Sequence, residues 1–238
     1  MKKVLLTGTG GRIGKYMTPA FREWFDLRTL DRAASEVDPN PILSDLQEID
    51  ILKRAMEGCE AVVHMAATSD EAPFLDDLVP NNIVGLYNML EAARETSVKR
   101  FVFASTVQTV GFNPPDTTIE ITDPVRPVSL YGATKVLGEV MGRYYHDKFG
   151  LEFVGVRIGW YHPYESDILR TSLGARQIWL SPNDCNSLFR RAVEKPDIGY
   201  ALCFATSKTS FERLSLKPAK EYLDWEPADD IETIPALA

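Results

Sequence analysis

Thr7-Gly8-Thr9-Gly10-Gly11-Arg12-Ile13-Gly14 decides the fold. Before it runs a short apolar stretch, Lys3 to Thr7, and after it Ile13 to Trp24 mixes apolar and polar positions as a helix does. Gly8, Gly11 and Gly14 recur at every third position. A plain tight turn would need one glycine. Three at this spacing, between a strand and a helix, let a phosphate approach the backbone where a side chain would block it. The helix N-terminus then offers free N–H groups and partial positive charge to that phosphate. The turn from Gly8 to Gly14, with Arg12 and Ile13 inside it, is therefore a candidate dinucleotide-binding element.

Outward from this turn the chain alternates. Leu27 to Leu30 reads as a strand ending at Asp31, Ile49 to Met56 as a helix, and Ala61 to Met65 as a strand. Asn82 to Thr96 reads as a helix, from Ile83, Leu86, Tyr87, Leu90 and Ala93, and Phe101 to Ala104 as a further strand. Uninterrupted apolar strands alternating with helices predict a doubly wound parallel sheet covered on both faces. Prolines 114, 115, 124 and 127 mark a long loop before a helix from Leu130 to Lys148 and a strand from Glu152 to Ile158. Tyr161 to Pro182 reads as irregular, Cys185 to Val193 as a helix and Tyr200 to Phe204 as a strand. The tail, with Pro218, Pro227 and Pro235, reads as partly extended. The predicted division is a nucleotide-binding domain over residues 1–160 and a small substrate-binding cap over 161–238, which also returns elements to the sheet.

Composition narrows the function classes. The 238 residues are 45% hydrophobic and 25% charged, with a net charge of -8. An acidic chain without a Lys/Arg run argues against nucleic acid. The longest stretch free of charge, Phe101 to Pro115, is too short and too polar to span a bilayer. Met1-Lys2-Lys3 followed by Val4-Leu5-Leu6 offers no signal-peptide core. Cys59, Cys185 and Cys203 are an odd, scattered set, which fits free thiols in a reducing compartment, so the expected location is the cytoplasm. His146 and His162 lack partners at ligand spacing, and no metal site is expected.

Three further groups suggest chemistry. A carboxylate at Asp31 can accept both adenosine ribose hydroxyls and would repel a 2′-phosphate, which favours NAD over NADP; Arg32 beside it could instead hold that phosphate. Asp45-Leu46 could flank the adenine. Tyr131 and Lys135 are one helical turn apart, and Ser105 ends a strand whose carboxyl end should share a crevice with the glycine turn. A phenol near a positive charge can act as a base while an alcohol loses hydride, with the serine orienting the oxygen. The phenol's ordinary pKa of about 10 must first be lowered, which Lys135 and an oxidised nicotinamide can do.

In these residues the chain resembles the extended short-chain dehydrogenase/reductase family, in its epimerase/dehydratase branch. The likeness is carried by Thr7-Gly8-x-x-Gly11-x-x-Gly14, Asp31, Asp45-Leu46, Val63-His64-Met65-Ala66-Ala67, Asn82-x-x-Gly85-x-x-Asn88, Ala104-Ser105-Thr106, Pro124-x-x-Pro127 and Tyr131-Gly132-x-Thr134-Lys135. It implies an α/β Rossmann-type fold that binds NAD, with Met65, Ala66, Ala67, Asn82 and Ile158 joining the cofactor site. It implies Ser105, Tyr131 and Lys135 as catalytic residues, and a homo-oligomer, dimeric or higher, formed through the helices near 82–96 and 130–148.

Within that branch the chain is similar to the uronate dehydrogenases, short members that oxidise a sugar acid at C1 to a lactone. Ser69, Glu71-x-Pro73-Phe74, Gly85-Leu86-Tyr87-Asn88, Tyr144-x-x-x-Lys148-Phe149-Gly150, Arg157-Ile158-Gly159 and Ser181-x-x-Asp184 carry this likeness. It departs from them at Thr106-Val107-Gln108, where that group has Ser-Asn-His. The substrate residues this implies are Ser69, Ser105, Thr106, Gln108 and Tyr131, with Arg170 or Arg176 for a carboxylate. The expected function is an NAD-dependent dehydrogenase of a small sugar acid or aldose. The alternatives are a nucleotide-sugar epimerase or dehydratase, which would need a larger cap, and a non-catalytic NAD-binding module, which would not need Tyr131 and Lys135.

Overall fold

The computed structural model describes residues 1–236. The expected doubly wound sheet is present: seven strands, all parallel, in the order β3-β2-β1-β4-β5-β6-β9. They are β1 (Lys3–Thr7), β2 (Asp26–Asp31), β3 (Ile42–Leu43), β4 (Ala61–His64), β5 (Arg100–Thr106), β6 (Glu152–Ile158) and β9 (Tyr200–Ala205). Successive strand residues face opposite ways, so an uninterrupted apolar strand supplies two cores. Val4, Leu6, Val63, Val102 and Val154 pack on one face, against α1 (Gly14–Trp24), α7 (Pro182–Glu194) and α8 (Lys217–Leu223). Leu5, Val62, Phe101, Phe103 and Phe153 pack on the other, towards α2 (Ile49–Met56), α3 (Gly85–Glu95) and α4 (Leu130–Phe149). The connection reverses direction between β1 and β4, which opens a crevice at their carboxyl ends.

Two sequence expectations are corrected. The helix expected from Asn82 starts at Phe74, where a π-wound stretch, Phe74–Val84, leads into α3. Pro80 lies inside it; a proline lacks the N–H of an α-helical ladder, and the wider winding carries the chain past it. The stretch from Tyr161 to Pro182 is not irregular. It holds α5 (Ile168–Thr171), α6 (Leu173–Gln177) and a parallel pair, β7 (Trp160–Tyr161) with β8 (Trp179–Leu180). Trp179 closes a small core there with Leu169, Ala175, Ile231 and Ile234. The tail contains α8, with Pro218 in its first turn, where a helix needs no N–H. Among the described residues no helix is long and apolar enough to cross a membrane, and no cluster of His, Cys, Asp and Glu could hold a metal.

Candidate active site

The strand ends at Gly8, Met65, Ser105 and Ile158 open on one cleft of about 390 Å³. Gly8, Gly11, Arg12, Ile13, Gly14, Met65, Ala67 and Ile158 line it together with Ser69, Ser105, Thr106, Gln108, Tyr131 and Lys135. The glycine turn, the proposed catalytic trio and most of the substrate candidates therefore meet in one place.

Packing explains two of the glycines. Gly8 has φ +76°, and a Cβ there would lie 2.7 Å from the Ala66 backbone nitrogen. A Cβ on Gly14 would lie 2.1 Å from the Gly8 carbonyl oxygen. A side chain at Gly8 would push the turn off the end of β4, and one at Gly14 would push α1 off the turn. Ala66 thus sits behind the turn, its N–H donated to Thr7 Oγ1 at 3.2 Å. Asp31 reaches the turn from the end of β2: one carboxylate oxygen accepts from Gly10 N–H at 2.9 Å and the other from Arg32 N–H at 2.6 Å.

Other candidates lie outside the cleft lining. Asp45 is exposed and accepts from Gln47 N–H at 2.8 Å, while Leu46 is buried in the core against Gly85. Asn82 is buried. It accepts from Thr68 N–H at 2.8 Å and donates to the Thr68 carbonyl at 2.8 Å and to Thr134 Oγ1 at 3.2 Å, tying the loop after β4 to α4. Arg176 donates to the carbonyls of Leu169, Ile234 and Ile231 at 2.9, 2.8 and 3.1 Å, and so holds the C-terminal segment. Arg170 has a buried Nε without a hydrogen-bond partner among the described residues.

Ser129 caps α4, accepting from Gly132 N–H at 2.9 Å while its hydroxyl donates to Gln108 Oε1 at 2.5 Å. The cap fixes where the helix begins and so where Tyr131 and Lys135 stand. Burial, then the negative charge of Asp70, pushes the Tyr131 phenol up, with Arg12 opposing. Burial alone pulls the Lys135 ammonium down to about 7. The expectation that Lys135 lowers the phenol's pKa is therefore not met by the protein's own residues. Desolvation outweighs attraction when both groups are buried. His64 is a packed strand residue: its Nδ1 shares a hydrogen with Thr7 Oγ1 at 2.9 Å, and burial with the nearby Lys135 charge takes it down to about 3.

Sequence reasoning missed Asp70, Val107, Trp160, Tyr161 and Ile178, which also line the cleft. Asp70 lies 3.8 Å from the Arg12 guanidinium and accepts from Gln108 Nε2 at 3.4 Å. It also missed Glu139, although the four-residue spacing of Tyr131, Lys135 and Glu139 places all three on one helix face.

The model of the NAD dependent epimerase/dehydratase family matches residues 4–164. The chain belongs to that family. Among its relatives, the uronate dehydrogenase of Pseudomonas syringae pv. tomato is 33% identical, over 98% of this chain and 84% of that protein. The L-arabinose 1-dehydrogenase (NAD(P)(+)) of Haloferax volcanii is also 33% identical, over 98% and 99%. A mutant uronate dehydrogenase from Agrobacterium tumefaciens, solved in complex with NAD, superposes with a TM-score of 0.87 at 30% identity, over 98% of this chain and 87% of that one.

Proposed function

We propose that this protein is an NAD-dependent sugar dehydrogenase that oxidises the C1 hydroxyl of a small sugar acid or aldose to a lactone. The observation that carries this is the meeting of Ser105, Tyr131 and Lys135 with the glycine turn in one cleft. Relatives that act on a uronate and on arabinose at the same identity support a small sugar without choosing between acid and neutral.

The residues present fit NAD. The backbone contacts at Gly8 and Gly14 leave no room for a Cβ, as a turn wrapped under a pyrophosphate requires, and Asp31 stands beside that turn to meet ribose hydroxyls. Gly11, Arg12, Ile13, Met65, Ala67 and Ile158 would complete the holding surface. NAD, when bound, supplies the hydride acceptor and a positive charge. Tyr131 takes the alcohol proton on its phenolate oxygen. The phenol is pushed up in the protein alone, so this role depends on positive charge in the cleft, from protonated Lys135 and from the cofactor. Ser105 orients the reacting oxygen. Ser69, Thr106 and Gln108 face the remaining hydroxyls, and Trp160, Tyr161 and Ile178 wall off water.

In this reading of the molecule residues 1–160 hold the cofactor and residues 161–238 supply the cap. The cap segment that reaches the cleft is short, which suits a free sugar better than a nucleotide-linked one. Three buried free cysteines suit a reducing compartment, the cytoplasm. Leu137, Val140 and Tyr144 form an exposed apolar stripe on α4, and Tyr87 of α3 is exposed as well. This stripe supports a homo-oligomer, and sedimentation should show a dimer or larger. A screen of glucuronate, galacturonate and neutral aldoses with NAD, following NADH, tests the activity. Stoichiometric NADH supports it. Conversion of a nucleotide sugar without net NADH would point to an epimerase or dehydratase.

A further inference from the structure

Asp70 is the one acidic side chain among the described residues that line the cleft. It follows Ser69 in the loop after β4, in a left-handed backbone conformation (φ +61°) that aspartate tolerates better than most residues. Its carboxylate is loosely held. One oxygen accepts from Gln108 Nε2 at 3.4 Å, and the other lies 3.8 Å from the Arg12 guanidinium. Gln108 is fixed in turn, because its amide oxygen accepts from Ser129, the cap of α4. These contacts set Asp70 beside the helical turn that carries Tyr131, near enough for its charge to act on the phenol. A carboxylate has about four acceptor positions, so Asp70 keeps free lone pairs for a ligand in the cleft.

A sugar acid needs the opposite charge. Its carboxylate must meet a cation, and among the described residues only Arg12 and Lys135 bring one to the cleft lining. Arg12 belongs to the glycine turn, where the cofactor phosphates are expected, and already faces Asp70. Lys135 is buried with its ammonium against the rings of Tyr131 and Phe103. Arg176 is occupied by three carbonyls, and Arg170 does not line the cleft. We propose that Asp70 selects the substrate class: the protein oxidises a neutral aldose, whose hydroxyls donate to Asp70, and rejects a uronate, whose carboxylate Asp70 repels. The proposal rests on the dehydrogenase assignment above and narrows it. Selection of this kind joins an attraction for one ligand to a repulsion against its competitor. It also gives a role to the departure from the uronate dehydrogenases at Thr106-Val107-Gln108, since Gln108 is the residue that holds Asp70.

Matched sugars test this, because glucose and glucuronate, like galactose and galacturonate, differ only at C6. With NAD saturating, the wild-type kcat/KM for the neutral sugar should exceed that for its uronate by about tenfold or more, the worth of one charge-assisted hydrogen bond. Turnover of neutral pentoses with none of any uronate also supports the proposal. Asp70→Asn keeps the shape and removes the charge. It should raise uronate turnover relative to neutral sugar and lower the ratio of the two kcat/KM values by roughly tenfold. Added salt should lower that ratio more in the wild type than in the variant. The ratio compares two sugars on one enzyme, so any loss of folded protein or of NAD affinity cancels. A merely structural Asp70 would lower both values alike and leave the ratio unchanged; that outcome overturns the proposal, as does a wild type that prefers the uronate. Absence of any wild-type sugar oxidation overturns the dehydrogenase assignment and this proposal together, whereas oxidation with the uronate preferred overturns this one alone.

Discussion

Lys135 Nζ stands 5.6 Å from the centre of the Tyr131 ring and 4.7 Å from that of Phe103, one helical turn below the phenol and enclosed with it. In this position a protonated lysine can raise the fraction of phenolate, yet the same burial that brings it close also drives it towards the neutral form. The pair is poised against its own environment, as functional groups often are.

Tyr131→Phe removes the proton acceptor and little volume. The turnover number should fall by about two to four orders of magnitude, the usual worth of a positioned acid–base group. Equilibrium NAD binding, measured by calorimetry, should change little. A variant with wild-type turnover would remove Tyr131 from the reaction.

Lys135→Met should stabilise the fold while abolishing activity. The folded pKa is pulled down from 10.5 to about 7, so the unfolded chain holds the extra proton between those values. Wild-type stability therefore climbs as pH rises through that window, by up to about 1.4 kcal/mol per pH unit from this group, and the penalty is fully present below pH 7. The methionine variant should show its largest gain in melting temperature at pH 6, shrinking towards pH 10. A gain independent of pH would contradict the buried ammonium.

Asp31→Ala removes the carboxylate that meets the glycine turn. The ratio of kcat/KM for NAD to that for NADP should fall, by roughly tenfold if one charge-assisted hydrogen bond and one repulsion are lost. An unchanged ratio would shift the choice of cofactor to Arg32 or another group.

The two arginines should separate. Arg176→Ala strips donors from three carbonyls and should lower the melting temperature by several degrees, since each kcal/mol is worth about 2–4 °C in a chain of this size. Arg170→Ala breaks no side-chain hydrogen bond among the described residues and should leave the melting temperature alone. If Arg170 meets the sugar carboxylate, the KM for uronates should rise while that for neutral aldoses stays the same.

The sheet was legible because parallel strands buried on both faces read as plain apolar runs, and Glu152 to Ile158 matches β6 residue for residue. The glycine turn was legible because steric exclusion leaves only one residue type at Gly8 and Gly14. What escaped depended on long-range contact. β5 continues through polar Ser105 and Thr106, because their partners, Arg157 and Ile158, carry the ladder on. Pro80 signals a helix start locally, while the tertiary fold winds the chain past it. Asn82 and Leu46 matched family positions, but the structure uses their side chains to pin a loop and fill the core. Spacing can show that two residues share a helix face; it cannot show that Arg176 is already occupied by three carbonyls.

The proposed reaction is hydride transfer from a small sugar to NAD with Tyr131 as base. The most direct measurement uses a sugar carrying deuterium at C1 and follows both the label and the NADH formed. One labelled NADH should form for each lactone, at a slower rate than with protium when chemistry limits, and both signals should be lost in Tyr131→Phe. Sugar conversion with no net NADH, or with the label still on carbon, would contradict it.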